Sequence, residues 1–452
     1  MIFRGSLSPA ARRRMAHVVR WAGAAAIAAS SVVSATPAGA ESYVPVSGAG
    51  STWSFNAIDA WRKDVEQYGM RINYQATGSS DGRRQFLNGT VDFAASDIPF
   101  QFQPEDGSPP EKPAAGSYAY MPVTAGGTVF MYNLTINGQR VTNLRLSGSN
   151  IAKIFTGALT KWDDPAIAAD NPGLTLPAKK IVPVVRSDGS GSSAQFTLWM
   201  VDQQRAIWEA YCRRSGRSAC GSTSYYPTVP GMVAQKGDDG VAGYVAQRFA
   251  EGAIGYVNYS YALQAGFPVA KMLNAAGYYT EPTPNNVAVS LLKAKINTDA
   301  SSPDYLTQQL DEVYSNPDRR TYPLSSYSYM ILPTKVQGQF SEAKGRTLGA
   351  YSYYAMCQGQ QASGSLGYSP MPINLVQAGF EQVKKIPGVV VQDVTVQNCK
   401  NPTFSSDGRN LLAEQAPMPE ECDKQGPLQC ATGTGGARKT ATAVKASAAA
   451  TK

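Results

Sequence analysis

Residues 181–201 read IVPVVRSDGSGSSAQFTLWMV. Ile181–Val185 is an apolar, β-branched run of strand type, interrupted only by Pro183. Arg186 follows, then a loop of Ser187, Asp188, Gly189, Ser190, Gly191, Ser192 and Ser193, and from Ala194 to Val201 the pattern turns helical. A strand that runs through a Gly/Ser loop straight into a helix is the repeating unit of an α/β architecture. In such folds ligands sit at the carboxyl ends of strands, where the loops lead into helices.

The same grammar occurs twice upstream. Val44–Val46 leads through Gly48, Ala49, Gly50, Ser51 and Thr52 into a helical stretch marked by Ala57, Ala60, Trp61 and Val65. Arg71–Gln75 leads through Thr77, Gly78, Ser79, Ser80, Asp81 and Gly82 into Arg83–Leu87. Further along, 149–171 reads as helices around a Lys161-Trp162-Asp163-Asp164 turn, 240–250 as a helix, 252–262 as a strand region, 322–333 as a Tyr/Ser stretch with a strand-like end, and 375–385 as a helix.

A helix start exposes unpaired N–H groups and the positive end of the helix dipole, so it attracts anions. Ser and Thr add hydroxyl donors, and Gly admits close backbone approach. One such loop is no more than a helix cap. Three of them point to a shared oxyanion. Arg186, at a strand end, offers a charge-assisted and bidentate contact to that anion, and Asp188 is placed to orient it. Asp97 closes the run Asp92-Phe93-Ala94-Ala95-Ser96-Asp97 at a strand tip. An ionised carboxylate only accepts hydrogen bonds, so a carboxylate beside an anion suits a ligand that carries a proton. Hydrogen phosphate and dihydrogen phosphate do; sulfate at neutral pH does not.

Composition narrows the class. The chain has 452 residues, enough for two lobes, with 43% hydrophobic and only 16% charged residues. Arg4, Arg12, Arg13, Arg14 and Arg20 precede an apolar run over 22–36, and Ala38-Gly39-Ala40 forms a small-x-small cleavage site. Residues 1–40 therefore read as a secretory signal peptide, with no Cys after it for lipid attachment, so a secreted protein, periplasmic or extracellular, is expected. The formal charge of +8 is concentrated at the ends: nine of the 41 basic residues lie in 1–40 and 431–452, leaving 32 against 33 acidic residues between. That balance argues against a nucleic-acid binder. The six Cys all follow the cleavage site and are expected as disulfides. Pairing neighbours to close short or moderate loops gives Cys212–Cys220, Cys357–Cys399 and Cys422–Cys430. The single His, His17, falls inside the signal, which removes Ser-His-Asp and Cys-His catalysis and His-ligated zinc from the mature chain. There is no Walker A pattern. No cofactor, no metal and no catalytic residue is expected.

Taken in order, Gly48-Ala49-Gly50-Ser51-Thr52-Trp53, Asn73-Tyr74-Gln75-Ala76-Thr77-Gly78-Ser79-Ser80, Val91-Asp92-Phe93-Ala94-Ala95-Ser96-Asp97, Lys161-Trp162-Asp163-Asp164 with Asn171-Pro172-Gly173, Arg186-Ser187-Asp188-Gly189-Ser190-Gly191-Ser192, and Gly252-Ala253-Ile254-Gly255-Tyr256 resemble the periplasmic phosphate-binding proteins of the phosphate-specific ABC transport system. The resemblance covers roughly residues 45–390. It implies two α/β lobes joined by a hinge, with the ligand in the cleft between them, and capture of inorganic phosphate for a membrane permease. It further implies that Thr52 and the backbone of Trp53, Ser79, and Asp97 as proton acceptor hold phosphate from one lobe. From the other lobe come Arg186, Ser190, Gly191 and Ser192, with Asp188 bracing Arg186. Trp53 stands where the family often has Phe, Ser192 where Thr is common, and the Cys-bearing stretch 202–232 resembles an expanded loop.

The expected organisation is a first lobe from 41–123 plus 322–400, a second from 124–321, a Cys-containing extension over 401–430, and a disordered Ala/Thr/Lys tail over 431–452. A monomer is expected. A secreted phosphatase-like enzyme and a binder of another oxyanion are the competing functions; the missing His weighs against the first and Asp97 against the second.

Overall fold

The computed structural model describes residues 43–442 except 404, 406 and 408, so the expected signal peptide and residues 443–452 lie outside the described residues. The three strand–loop–helix units are β1 (Val46–Gly50) with α1 (Phe55–Asp64), β2 (Ile72–Gln75) with α2 (Ser79–Leu87), and β5 (Val182–Arg186) with α3 (Gly191–Gln203). β3 (Phe93–Ser96) and β4 (Tyr118–Tyr132) come between the second and third units. β6 (Val233–Gln235), α4 (Gly237–Val245), β7 (Ala253–Asn258), α5 (Pro284–Leu291), β8 (Ser325–Pro333) and α6 (Glu342–Met356) follow.

One eight-stranded sheet carries all of these strands, in the order β2-β1-β3-β8-β4-β7-β5-β6. β1 runs parallel to β2 and β3, and β5 parallel to β7 and β6. The two parallel sets are the bases of two α/β lobes, and antiparallel pairs β3–β8, β8–β4 and β4–β7 join them. Burial on both faces, as helices on a parallel sheet require, explains the unbroken apolar runs: all of β3 and all of β7 is buried.

β4 belongs to both lobes. Its Tyr118–Gly127 part pairs with β8, and its Thr128–Tyr132 part pairs with β7. At the handover, a Cβ on Gly126 would lie 2.9 Å from the Trp53 ring, so only Gly lets that ring lie against the strand.

In the second lobe a cluster of rings fixes α3 against the sheet. Phe196 on α3 meets Phe130, Phe155 and Tyr256 with centroids 5.1–5.4 Å apart. This packing holds the start of α3 at the tip of β5, where the Gly/Ser loop turns. Aromatic contacts of this kind contribute roughly 0.5–1.5 kcal/mol each beyond burial.

The disulfides pair as the loop-closure reading expects: Cys212–Cys220, Cys357–Cys399 and Cys422–Cys430. The residues after Cys399 form a strap that runs from the first lobe to the second. Asn401 donates to the carbonyls of Met356 and Met371 in the first lobe. Leu412 and Ala413 then accept from Asn285 and Arg320. Lys271 pairs with Asp423 at 2.6 Å, and Arg145 donates to the carbonyls of Cys422 and Leu428.

The disorder expected from residue 431 onward is corrected for 431–442, which pack on the second lobe. Thr434 is fully buried, donates to the carbonyl of Val269 and accepts from the Val269 N–H. Arg438 pairs with Glu281 at 2.7 Å and donates to the Tyr259 hydroxyl. Small Ala, Gly and Thr residues look featureless as composition, yet they allow a segment to lie close to another backbone and bond to it. Two further boundaries shift: the helix read over 240–250 begins at Gly237, and the strand region read over 252–262 is a strand only to Asn258, after which Tyr259–Ala265 is helical.

Candidate functional site

The loops after β1, β2, β3 and β5 converge in one place. Thr52, Ser79, Asp97, Arg186, Ser190 and Ser192 are each no more than 2% exposed. The two lobes touch there through their glycine loops: the Ser80 N–H donates to the Gly189 carbonyl at 3.1 Å. A Cβ on Gly191 would stand 2.4 Å from an Asp97 oxygen and 2.6 Å from the Ser79 hydroxyl, so no larger residue fits at the start of α3.

Asp97 follows directly on β3. Its Oδ1 accepts from the hydroxyls of Ser51 at 2.7 Å and Ser328 at 2.8 Å, and its Oδ2 from Ser79 at 3.2 Å. Burial raises its pKa, the Ser51 and Ser328 hydrogen bonds work against that, and the outcome is a carboxyl pushed up to about 6.

Arg186 ends β5 with its side chain buried. Asp188 grips it from one side, accepting from Nε at 2.7 Å and from Nη2 at 2.5 Å. Burial raises the Asp188 pKa, but this bidentate pairing outweighs it and holds the carboxyl below its ordinary range. Burial also works against the Arg186 charge, yet Asp238 and Asp188 hold its pKa above the ordinary value. A guanidinium has five N–H donors. Asp188 takes two and Asp238 a third, and Nη1 also reaches the Ser192 hydroxyl at a long 3.4 Å.

Asp238, at the start of α4, is a participant that the sequence reading missed. Its Oδ2 accepts from Thr52 Oγ1 at 2.5 Å, from Arg186 Nη1 at 2.5 Å and, more loosely, from Ser192 Oγ at 3.5 Å. Its Oδ1 accepts from the Asn258 N–H at 2.7 Å. Burial raises its pKa, against the opposing pull of Arg186. The signal is present: β6, Lys236 and α4 are a fourth strand–loop–helix unit, hidden because the helical pattern in the sequence reads only from 240, three residues after α4 begins. Ser51 and Ser328 were also missed. Ser51 sits in the first Gly/Ser loop beside Thr52, and Ser328 in the middle of a strand read only for its Tyr/Ser composition.

The remaining expected residues divide by role. Ser79 and Gly191 are the first residues of α2 and α3, so their N–H groups are among those a helix leaves free. Ser190 is the N-cap of α3 and accepts from the Ser193 N–H at 3.2 Å, which leaves its hydroxyl hydrogen uncommitted to the cap. The Trp53 ring points away from the seat to the hinge strand, where Nε1 donates to Thr128 Oγ1 at 3.1 Å and the ring meets Tyr368 edge-on. An open cavity of about 670 Å³, lined in part by Arg83, Glu111, Gln195 and Tyr225, lies beside this seat and includes none of Thr52, Asp97 or Arg186. Among the described residues no helix is long and apolar enough to cross a membrane.

Comparison with known proteins agrees with this fold. Residues 33–358 match the PBP superfamily domain. The phosphate-binding protein PstS of Xylella fastidiosa (strain Temecula1) is 34% identical over 350 residues, 76% of this chain and 86% of that protein. The PstS of Methanocaldococcus jannaschii is 28% identical over 348 residues, 75% of this chain and 85% of that one. Among solved structures, a high-affinity periplasmic phosphate-binding protein (PfluDING) superposes with a TM-score of 0.59 at 17% identity, covering 78% of this chain and all of that one. A phosphate-binding protein from Stenotrophomonas maltophilia gives 0.54 at 18% identity, covering 74% and 92%. The structural likenesses speak for the fold, and the sequence relatives for descent. With its two α/β lobes, its converging glycine loops and these relatives, the chain belongs to the PstS family of phosphate-binding proteins within the PBP superfamily.

Proposed function

We propose that the protein captures inorganic phosphate between its lobes and passes it to the membrane permease of an ABC importer. The observation that carries this reading is the meeting of Asp97 and Arg186 in one buried seat. An anion that satisfies both must accept from the guanidinium and donate to the carboxylate, which phosphate does with its remaining proton and sulfate cannot. The relatives named above carry phosphate binding in their names, in support of the same ligand.

In this reading Thr52 and the Trp53 N–H, with Ser79 through hydroxyl and N–H, hold phosphate from the first lobe, and Asp97 accepts its proton. Arg186, braced by Asp188, supplies the positive charge from the second lobe, and Ser190, Gly191 and Ser192 supply hydroxyl and N–H donors. The lobes, about 41–123 with 322–400 and about 124–321, close on the ligand by bending at β4. The cycle is capture and release with no covalent step. The protein works as a monomer outside the cytoplasmic membrane, after removal of residues 1–40.

Calorimetric titration of the mature chain, stripped of anion, with phosphate and then sulfate near neutral pH tests the proposal. Tight one-to-one phosphate binding with no sulfate response is expected. A folded sample that ignores phosphate, or binds both anions alike, would overturn it. Small-angle scattering with and without phosphate checks the closure, and an unchanged radius of gyration would count against it.

A further inference from the structure

Asp238 stands in a place of conflict. Three of the residues assigned above to phosphate, Thr52, Arg186 and Ser192, point at its Oδ2 within 3.5 Å. A threonine hydroxyl has one hydrogen to donate, and here it goes to Asp238. The seat also holds more negative charge than one guanidinium offsets. Asp188 and Asp238 pair with Arg186 and Asp97 lies within its electrostatic range, all in a buried region, which gives a formal net of −2 before any anion arrives. Asp188 is committed to Arg186 by its bidentate pair, so Asp97 and Asp238 carry the excess. Buried charge in excess of what its partners offset is strongly disfavoured.

The other groups around Asp238 do not relieve it. From β7 it receives the Asn258 N–H. The Tyr261 hydroxyl is within electrostatic range but donates to the Thr52 carbonyl. The Tyr368 hydroxyl, also in range, donates to the carbonyl of Trp53. Asp97 and Asp188 are like charges, and Asp239, next in the chain, is another. No second cation contacts the Asp238 carboxylate among the described residues.

Hydrogen phosphate brings one proton, and Asp97 takes its hydrogen bond. That leaves an ionised Asp238 facing a dianion across shared donors. One more proton resolves the clash. Resting on the phosphate-capture reading, we propose that Asp238 is a second proton-sharing carboxylate of the seat, so that hydrogen phosphate loads together with one proton from solvent and is held as dihydrogen phosphate, one hydroxyl bonded to Asp97 and the other to Asp238. The balance is simple: HPO4(2−) and H+ enter, H2PO4(−) is bound, and both leave on release. Asp238 thereby selects for the protonated ligand.

The test is calorimetric titration of the mature chain with inorganic phosphate above the second ionisation of phosphate, in two buffers of different ionisation enthalpy. The expected result is uptake of about one proton per phosphate and a Kd that rises about tenfold per pH unit in that range. Asp238→Asn should bind with no proton uptake and a Kd nearly flat with pH, and Asp238→Ser serves if the first variant does not fold. Phosphate bound by the native chain without proton uptake overturns this inference alone, as does a folded Asp238 variant that keeps the full uptake. No phosphate binding by the folded native chain overturns the capture reading and takes this inference with it.

Discussion

Gln195, on α3 of the second lobe, donates its side-chain amide to the main-chain carbonyl of Asp97, at the tip of β3 in the first lobe, at 2.8 Å. The bond crosses the cleft beside the seat, and Gln195 is itself only 6% exposed. It is a latch between the lobes that bonds the main chain of Asp97 and leaves its carboxylate to other partners. Gln195→Ala should leave the ligand contacts intact and speed release, with a loss of about 1 kcal/mol, or roughly fivefold in dissociation rate. Stopped-flow measurement of phosphate release checks this; an unchanged rate would show that the latch contributes nothing to closure.

Among the described residues Arg186 is the cation that Asp188 and Asp238 share, at 2.5 Å from each. Arg186→Gln should abolish phosphate binding and also destabilise the fold, because two buried carboxylates lose their partner. Removing one side of a buried ion pair costs about 3–5 kcal/mol. Urea titration followed by tryptophan fluorescence measures it, and an unchanged midpoint would contradict the burial argument.

Asp97→Asn replaces an acceptor with a side chain that also donates. Phosphate affinity should fall by about 2 kcal/mol, roughly thirtyfold, the scale of a hydrogen bond to a charged group. Sulfate, which the native carboxylate repels, should gain measurable affinity in the same calorimetric assay. If sulfate stays excluded, another residue does the discriminating.

The stability of the ligand-free protein should depend on pH through the same residue. Asp97 titrates at about 6 when folded, against 3.8 for an ordinary Asp. Between those values the folded chain holds a proton that the unfolded chain has released. Stability from this group is therefore full below the unfolded value and is lost as pH rises through about 6, by roughly 3 kcal/mol in all. Urea midpoints compared across that window, native against Asp97→Asn, isolate the effect. A native-minus-variant difference that does not change with pH would refute the assignment.

Cys357 and Cys399 are 42 residues apart in sequence, and their bridge ties the end of α6 to the start of the C-terminal strap. Closing a loop of that size stabilises by about 4 kcal/mol on a chain-entropy estimate. The double change Cys357→Ser with Cys399→Ser should lose most of that in urea, whereas opening the eight-residue spacing of Cys212–Cys220 should cost less.

Much of the seat was legible because its chemistry lies at strand–loop–helix junctions, where local grammar and ligand position coincide. Arg186 and Asp97 stand at strand ends, and the glycines around them mark where the backbones meet. Asp238 escaped because its loop is short and its acidic residues look like ordinary first-turn helix residues. Ser328 escaped because a strand's pleat says which side chains share a face but not which neighbour that face meets. The packing of Thr434 and Arg438 was invisible to composition, since their partners Val269 and Glu281 lie some 160 residues upstream. The role of the Trp53 ring, docked over Gly126 at the hinge, likewise depends on a contact 73 residues away.

The shared strand β4 has a consequence of another kind. Lobes on a flexible linker can melt one at a time, each as its own cooperative unit. Here Tyr118–Tyr132 is a rung of both lobes at once, and the strap from Cys399 onward is bonded to both. Neither half can come apart without breaking the ladder of the other. Scanning calorimetry of the protein should accordingly show one endotherm, with equal calorimetric and van't Hoff enthalpies, because the strand the two lobes share makes them live or die together.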